Sequence, residues 1–102
     1  MRKFKVCKES EIAEGQGRSI KVLAKEIMIY RIDGQLHAYD GLCKHMRASL
    51  VSQGELKEYT LTCKWHGWQY DIRNGACLGK PDVYLTAHTI EITNGDIYVC
   101  VA

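Results

Sequence analysis

Two short segments hold the residues best able to do chemistry: Cys43-Lys44-His45 and Cys63-Lys64-Trp65-His66, separated by the 17 residues from Met46 to Thr62. Each offers one soft thiolate and one imidazole. Two irons of unlike ligation call for that set, two Cys on one iron and two His on the other. A structural zinc ion also takes thiolate plus imidazole. Its ligands usually come as C-x2–4-C and H-x3–5-H pairs, whereas each pair here is mixed, and the spacing therefore weighs against zinc. There is no C-x-x-C-H and no glycine-rich phosphate loop, so nothing supports a haem, a flavin or a nucleotide.

The elements that must position these residues read as strands. Turn signals recur at Glu14-Gly15, Asp33-Gly34, Asn74-Gly75 and Asn94-Gly95, with runs rich in β-branched and aromatic residues between them. Asn-Gly and Asp-Gly supply the positive φ angles of type I′ turns, which predicts an all-β chain of hairpins. Strands are expected at Lys3–Cys7, Ser19–Leu23, Glu26–Ile32, Leu36–Asp40, Tyr59–Thr62, Gln69–Ile72, Val83–Ile92 and Asp96–Val101. The single expected helical turn spans Glu9 to Glu14, with Ser10 as its N-cap. Each ligand pair then falls just after a strand, and the two loops (41–50 and 62–70) meet at one end of a sheet as jaws around a metal centre.

A chain of 102 residues is expected to be one domain, 1–102, able to fold without staples. The opening Met-Arg-Lys-Phe-Lys-Val has no apolar h-region, and no stretch approaches the roughly 18 apolar residues of a membrane span. A soluble, cytoplasmic protein is expected. Five cysteines are an odd number, unlike a secreted disulfide framework. Cys7, Cys77 and Cys100 lie in or beside apolar runs and are expected to be buried thiols. Fourteen basic and 12 acidic residues, mixed along the chain, predict binding to neither nucleic acid nor membrane.

The segments Cys43-Lys44-His45-Met46-Arg47-Ala48-Ser49-Leu50 and Cys63-Lys64-Trp65-His66-Gly67-Trp68-Gln69-Tyr70-Asp71 closely resemble the two cluster-binding loops of Rieske iron–sulfur proteins. The likeness extends to the Asp-Gly hairpin before them, the Leu78-Gly79-Lys80-Pro81 loop after them and the terminal hairpin. It implies a Rieske fold of antiparallel, sandwich- or barrel-like sheets with a cluster-binding tip, and one [2Fe–2S] cluster per chain. Cys43 and Cys63 would bind the inner iron, His45 and His66 the outer one. Within the superfamily the chain looks most like a free-standing ferredoxin, a non-enzymatic, monomeric carrier passing single electrons from a flavin-dependent reductase to a terminal oxygenase. The other family role is the Rieske-like small subunit of a larger reductase, such as nitrite reductase.

By the same resemblance, oxidised iron, sulfide and thiolate charges sum to zero, and one electron takes the cluster to −1. A four-cysteine cluster starts at −2, so two imidazoles favour the reduced form: roughly −150 to +300 mV for Rieske centres against roughly −400 mV for plant-type ferredoxins. Family members of high potential carry a disulfide between the loops, where this chain has Ala48 and Trp65, and a cluster-bonding serine where it has Trp68. A potential near the low end is expected, with Tyr70 at the position whose phenol bonds a ligand sulfur. Lys44 and Lys64 replace residues that are often proline, and Arg47 replaces a usual glycine. With Met46 they imply a basic docking tip. Trp65 and Trp68 are expected to shield the cluster or simply to pack, while His37 and His88, in strands, are expected not to ligate metal.

Overall fold

A computed structural model describes residues 2–43, 49–64 and 67–101 of the chain. Among them nine strands form two antiparallel sheets. The larger contains β1 (Arg2–Lys8), β2 (Gly17–Val22), β3 (Lys25–Ile32), β4 (Gln35–Asp40), β8 (Ala87–Thr93) and β9 (Asp96–Val101), in the order β1-β9-β8-β4-β3-β2. The smaller has β5 (Gly54–Lys57), β6 (Thr60–Cys63) and β7 (Gln69–Asp71) in sequential order. The all-β expectation holds.

Strand β3 explains how the two sheets cohere. Side chains alternate across a strand, and both faces of β3 are apolar: Ile27 and Ile29 join one core cluster with Ala38, Ile97 and Val99, while Met28, Tyr30 and Ile32 join a second with Leu61, Tyr70 and Ile72. Neighbouring β4 divides in the same way, Ala38 to the first core and Tyr39 to the second. The second core is the one that contains Cys43 and Cys63.

Turn chemistry agrees with the sequence at two of the four signals that close hairpins or loops. Asp33 and Gly34, and likewise Asn94 and Gly95, both take positive φ, as type I′ turns require. Asn74-Gly75 departs from this. Only Gly75 of that pair has positive φ; its amide donates to the Asp71 carbonyl (2.7 Å), and the Asn74 side chain accepts from the Ala76 amide (2.9 Å), giving a longer turn. Glu14-Gly15 pins one loop to another: the Gly15 amide donates to the Arg31 carbonyl (2.7 Å).

Four other expectations are corrected. The helical turn is a 3-10 turn over Glu9–Glu11 whose N-cap is Lys8, not Ser10; the Lys8 amide donates to the Glu11 carboxylate (3.0 Å). The strand placed at Val83 begins at Ala87, because Val83 and Leu85 are tied instead to Cys77 and Gly75 by backbone hydrogen bonds. Cys63 ends β6 rather than following it. Strand β5 and a one-turn helix, α1 (Leu50–Gln53), capped by the Ser49 hydroxyl accepting from the Ser52 amide, lie where the sequence predicts no element.

Candidate metal centre

The first ligand loop leaves β4 at Asp40 and is pinched at its base. Leu42 bridges to Ser49, and the Leu50 amide donates to the Gly41 carbonyl (2.8 Å). Gly41 passes close enough to β3 that an added β-carbon would sit 3.2 Å from the Met28 nitrogen. Cys43 therefore starts the loop from a fixed point and is fully buried. The second loop is closed in a similar way: the Cys63 amide donates to the Trp68 carbonyl (2.8 Å), and the Gly67 amide donates to the Cys63 carbonyl (2.9 Å). Gly67 makes that return with φ of 78°, a conformation glycine adopts at little cost.

Helix α1 and strand β5 join the two loops. The Lys64 amide donates to the Gln53 carbonyl (2.9 Å), and Gly54 pairs with Cys63 in the β5–β6 ladder. A β-carbon added at Gly54 would run into the Leu50 carbonyl oxygen. This bracket was not legible in advance, since a four-residue helix and a four-residue strand offer almost no periodicity.

Cys43 and Cys63, carried by different sheets, thus come together in one buried cluster, both with no exposed surface. Tyr70, also fully buried, brings its phenol oxygen to 3.3 Å from Cys43 Sγ. His45 and His66 lie outside the described residues, as do Lys44, Met46, Arg47, Ala48 and Trp65. Lys64 is exposed at the rim. Trp68 packs on the cysteine-containing core, with the Lys80 ammonium 4.8 Å from its ring centroid. The loop bearing Lys80 is fixed to β7 where the Leu78 amide donates to the Gln69 carbonyl (2.8 Å).

The other candidates behave as ordinary structural groups. His88 Nε2 lies 2.7 Å from Asp40 Oδ1, and His37 runs parallel to the Tyr39 ring at 6.4 Å. Among the described residues no group of three or more His, Cys, Asp or Glu is arranged to hold a metal. Cys7, Cys77 and Cys100 are buried and unbridged. Burial pushes the thiols of Cys7 and Cys77 above the ordinary range; for Cys100 burial leads and the hydrogen bond to Glu91 adds to it. No helix among the described residues is long and apolar enough to cross a membrane.

The donor chemistry of the described part fits an iron–sulfur centre. Two thiol sulfurs are withdrawn from water at the roots of two constrained loops, and a buried phenol stands in hydrogen-bonding range of one of them. Buried thiolates are the ligands such clusters take, and hydrogen bonds to their sulfurs are one of the levers that set potential.

Comparison with known proteins points the same way. The family model for the Rieske [2Fe–2S] domain matches residues 2–89. The ferredoxin component of the alkene monooxygenase system of Xanthobacter autotrophicus is 28% identical over 94 residues, covering 92% of this chain and 77% of that one. The ferredoxin component of the p-cumate 2,3-dioxygenase system of Pseudomonas putida is 33% identical over 96 residues, covering 92% and 81%. Among solved structures, a chain of the complex of reduced oxygenase and oxidised ferredoxin in carbazole 1,9a-dioxygenase superposes with a TM-score of 0.84 at 30% identity, covering 95% of this chain and 91% of that one. A longer chain from a carbazole-bound oxygenase and ferredoxin complex of the same dioxygenase gives 0.81 at 25% identity; this chain covers 95% of itself and only 27% of it.

Proposed function

The chain belongs to the Rieske [2Fe–2S] family, and on that premise we propose that it is a one-electron carrier, a ferredoxin component passing electrons from a flavin-dependent reductase to a terminal oxygenase. It acts as a monomeric single domain, 1–102, in the cytoplasm, and catalyses no substrate reaction of its own. Cys43 and Cys63 hold the inner iron; His45 and His66 hold the outer one. When bound, the cluster supplies a one-electron couple between net charges of zero and −1.

The observation that carries this reading is the convergence of two fully buried cysteines from different sheets, with Tyr70 3.3 Å from one sulfur. The chain's own part is to exclude water from both thiolates, to fix their separation through the two pinched loop bases and to direct the Tyr70 hydroxyl at Cys43. Leu50, Leu61 and Ile72 pack around the pair and keep the inner side dry. Electrons would leave at the end of the molecule where the two cysteine-bearing segments lie and Lys64 is exposed.

The test is chemical and spectroscopic. Purified protein should contain two irons and two acid-labile sulfides per chain, and after dithionite reduction should give an electron paramagnetic resonance signal of mixed Cys/His ligation. His45→Cys or His66→Cys should move the average g value toward that of four-cysteine clusters or abolish the cluster. Absence of acid-labile sulfide, or a four-cysteine spectrum in the unmutated protein, would overturn the assignment.

A further inference from the structure

Strand β3 carries one charged side chain on the face it turns toward the cysteines. Side chains two residues apart on a strand share a face, so Glu26 stands in line with Met28, Tyr30 and Ile32, which pack into the core holding Cys43 and Cys63. Glu26 is also fastened to the base of the first ligand loop. Its carbonyl accepts from the Gly41 amide (2.8 Å), and its γ-carbon lies 3.4 Å from where a β-carbon on Gly41 would sit. Lys21, opposite Glu26 in the β2–β3 ladder, is exposed, so water screens its charge.

The side chain is half-buried, and its oxygen Oε2 is withdrawn from solvent without a hydrogen-bond partner, the one buried side-chain nitrogen or oxygen among the described residues left so. The other carboxylate at this loop base, Asp40, has His88 Nε2 at 2.7 Å. A buried acceptor with no donor costs stability and calls for a cause. Packing supplies none, since an apolar side chain of the same length would fill the space without that cost. Gly41 is two residues from Cys43, and two residues span at most ~7 Å, which puts the carboxylate within about 15 Å of the Cys43 sulfur.

Resting on the electron-carrier reading above, we infer that Glu26 sets the redox potential of this chain: its carboxylate, one oxygen of which faces the dry side of the sheet, opposes the charge that arrives when the cluster is reduced. The cluster gains one negative charge on reduction, and a fixed negative charge beside it makes that step less favourable. Two unit charges about 15 Å apart or closer, in a medium of effective dielectric constant about 20 to 40, shift the reduction equilibrium by about threefold to tenfold, or ~30 to ~60 mV. Exposed carboxylates at the same end, such as Glu55, act through water and salt and contribute far less. A carrier held at lower potential has more driving force to hand its electron to an acceptor, which gives the uncompensated oxygen its cause.

Redox titration of the cluster-loaded protein, followed by electron paramagnetic resonance, tests this at about 0.01 M and about 0.5 M salt. Glu26→Gln should favour the reduced form by about threefold to tenfold, raising the midpoint by ~30 to ~60 mV, with g values unchanged and most of the shift surviving high salt. Glu26→Met removes the charge and the unpaired oxygen together; it should raise the midpoint equally and unfold at no lower temperature than wild type. Glu26→Asp keeps the charge and should stay close to the wild-type midpoint. Glu55→Gln, the exposed control with the same change of formal charge, should give a smaller rise that disappears at high salt. An unmoved midpoint in Glu26→Gln, a shift no larger or more salt-resistant than that of Glu55→Gln, or an equal rise in Glu26→Asp would overturn the proposal. Loss of the cluster from Glu26→Gln and Glu26→Met alike would overturn it too, by making Glu26 a structural residue. A wild-type protein with no reversible one-electron reduction would instead overturn the electron-carrier reading on which the proposal stands.

Discussion

Replacing Tyr70 by Phe removes one oxygen atom from a fully buried side chain, and that oxygen stands 3.3 Å from Cys43 Sγ. Either atom of that pair could donate in a protein with a protonated thiol. Once Cys43 is an iron-bound thiolate, only the phenol has a proton to give. The bond then stabilises the electron-richer reduced state more than the oxidised one, so losing it lowers the midpoint potential. A net hydrogen bond of ~1 kcal/mol corresponds to ~40 mV for one electron, scaling from ~59 mV per tenfold change. A bond strength between about 0.5 and 1.5 kcal/mol gives an expected drop of roughly 20–60 mV. The assay is a redox titration followed by electron paramagnetic resonance, with Tyr39→Phe as the matched control. The Tyr39 hydroxyl is held in the same core but donates to the Ile72 carbonyl (2.9 Å), so its loss should cost ~1 kcal/mol of stability and leave the potential unmoved. An unshifted or raised midpoint in Tyr70→Phe, or an equal fall in Tyr39→Phe, would refute the reasoning.

Gly54→Ala places a β-carbon against the Leu50 carbonyl oxygen; overpacking of this kind costs about 1–3 kcal/mol, and the strain falls on the bracket between the loops, so cluster loss to a chelator should be faster than in wild type. Asp71 is held below the ordinary carboxylate range, chiefly by the Arg73 side chain. Its folded value lies below its unfolded one, so its contribution is complete above the unfolded value and is lost as pH falls through the folded one. Asp71→Asn should cost at most ~1 kcal/mol at pH 7 at this partly exposed pair, with the thermal-stability gap beginning to narrow as pH falls below about 4; a gap that does not narrow at all with falling pH would contradict this. With their thiols pushed up by burial, Cys7, Cys77 and Cys100 should resist iodoacetamide in the native protein at pH 7.5, as read by mass spectrometry, and become reactive only on unfolding.

Much of this architecture was legible in the sequence where local chemistry decides it. Asp33-Gly34 and Asn94-Gly95 demand left-handed turns, and the runs around them are rich in β-branched and aromatic residues, so the long hairpins follow. Val83 to Leu85 misled because a short β-branched and aromatic run reads the same whether it pairs in a regular ladder or in isolated contacts with Ala76 and Cys77. Strand β5 and helix α1 were invisible for another reason: Leu50–Gln53 is one turn long, and Gly54–Lys57 contains a glycine and two charges. Their existence depends on Cys63 and Lys64 offering partners across the ladder. At the site, the cysteines and Tyr70 announced themselves through motif wording. The role of Gly54 did not, because a glycine required by close approach looks the same in sequence as a glycine required by a turn.

The two cysteines reach the centre from separate sheets, so the loops alone cannot fix their relative positions. That task falls to β3, whose second face, Met28, Tyr30 and Ile32, packs into the core that also holds Leu61, Tyr70 and Ile72 from the small sheet. At the end away from the cysteines the sheets are tied again by Tyr59 donating to Asp33, while Arg73, 4.3 Å from the Tyr59 ring centroid and paired with Asp71, braces Tyr59 within the small sheet. A shared core at the middle and a polar clamp at the far end leave the small sheet little freedom to rock. Interiors packed to near-crystalline density have low compressibility, so the positions of Cys43 and Cys63 are set by the core shared between the two sheets as well as by the loops. This separates the duties along the chain. The loops choose the ligands, and the strands beneath them choose the distance at which those ligands wait.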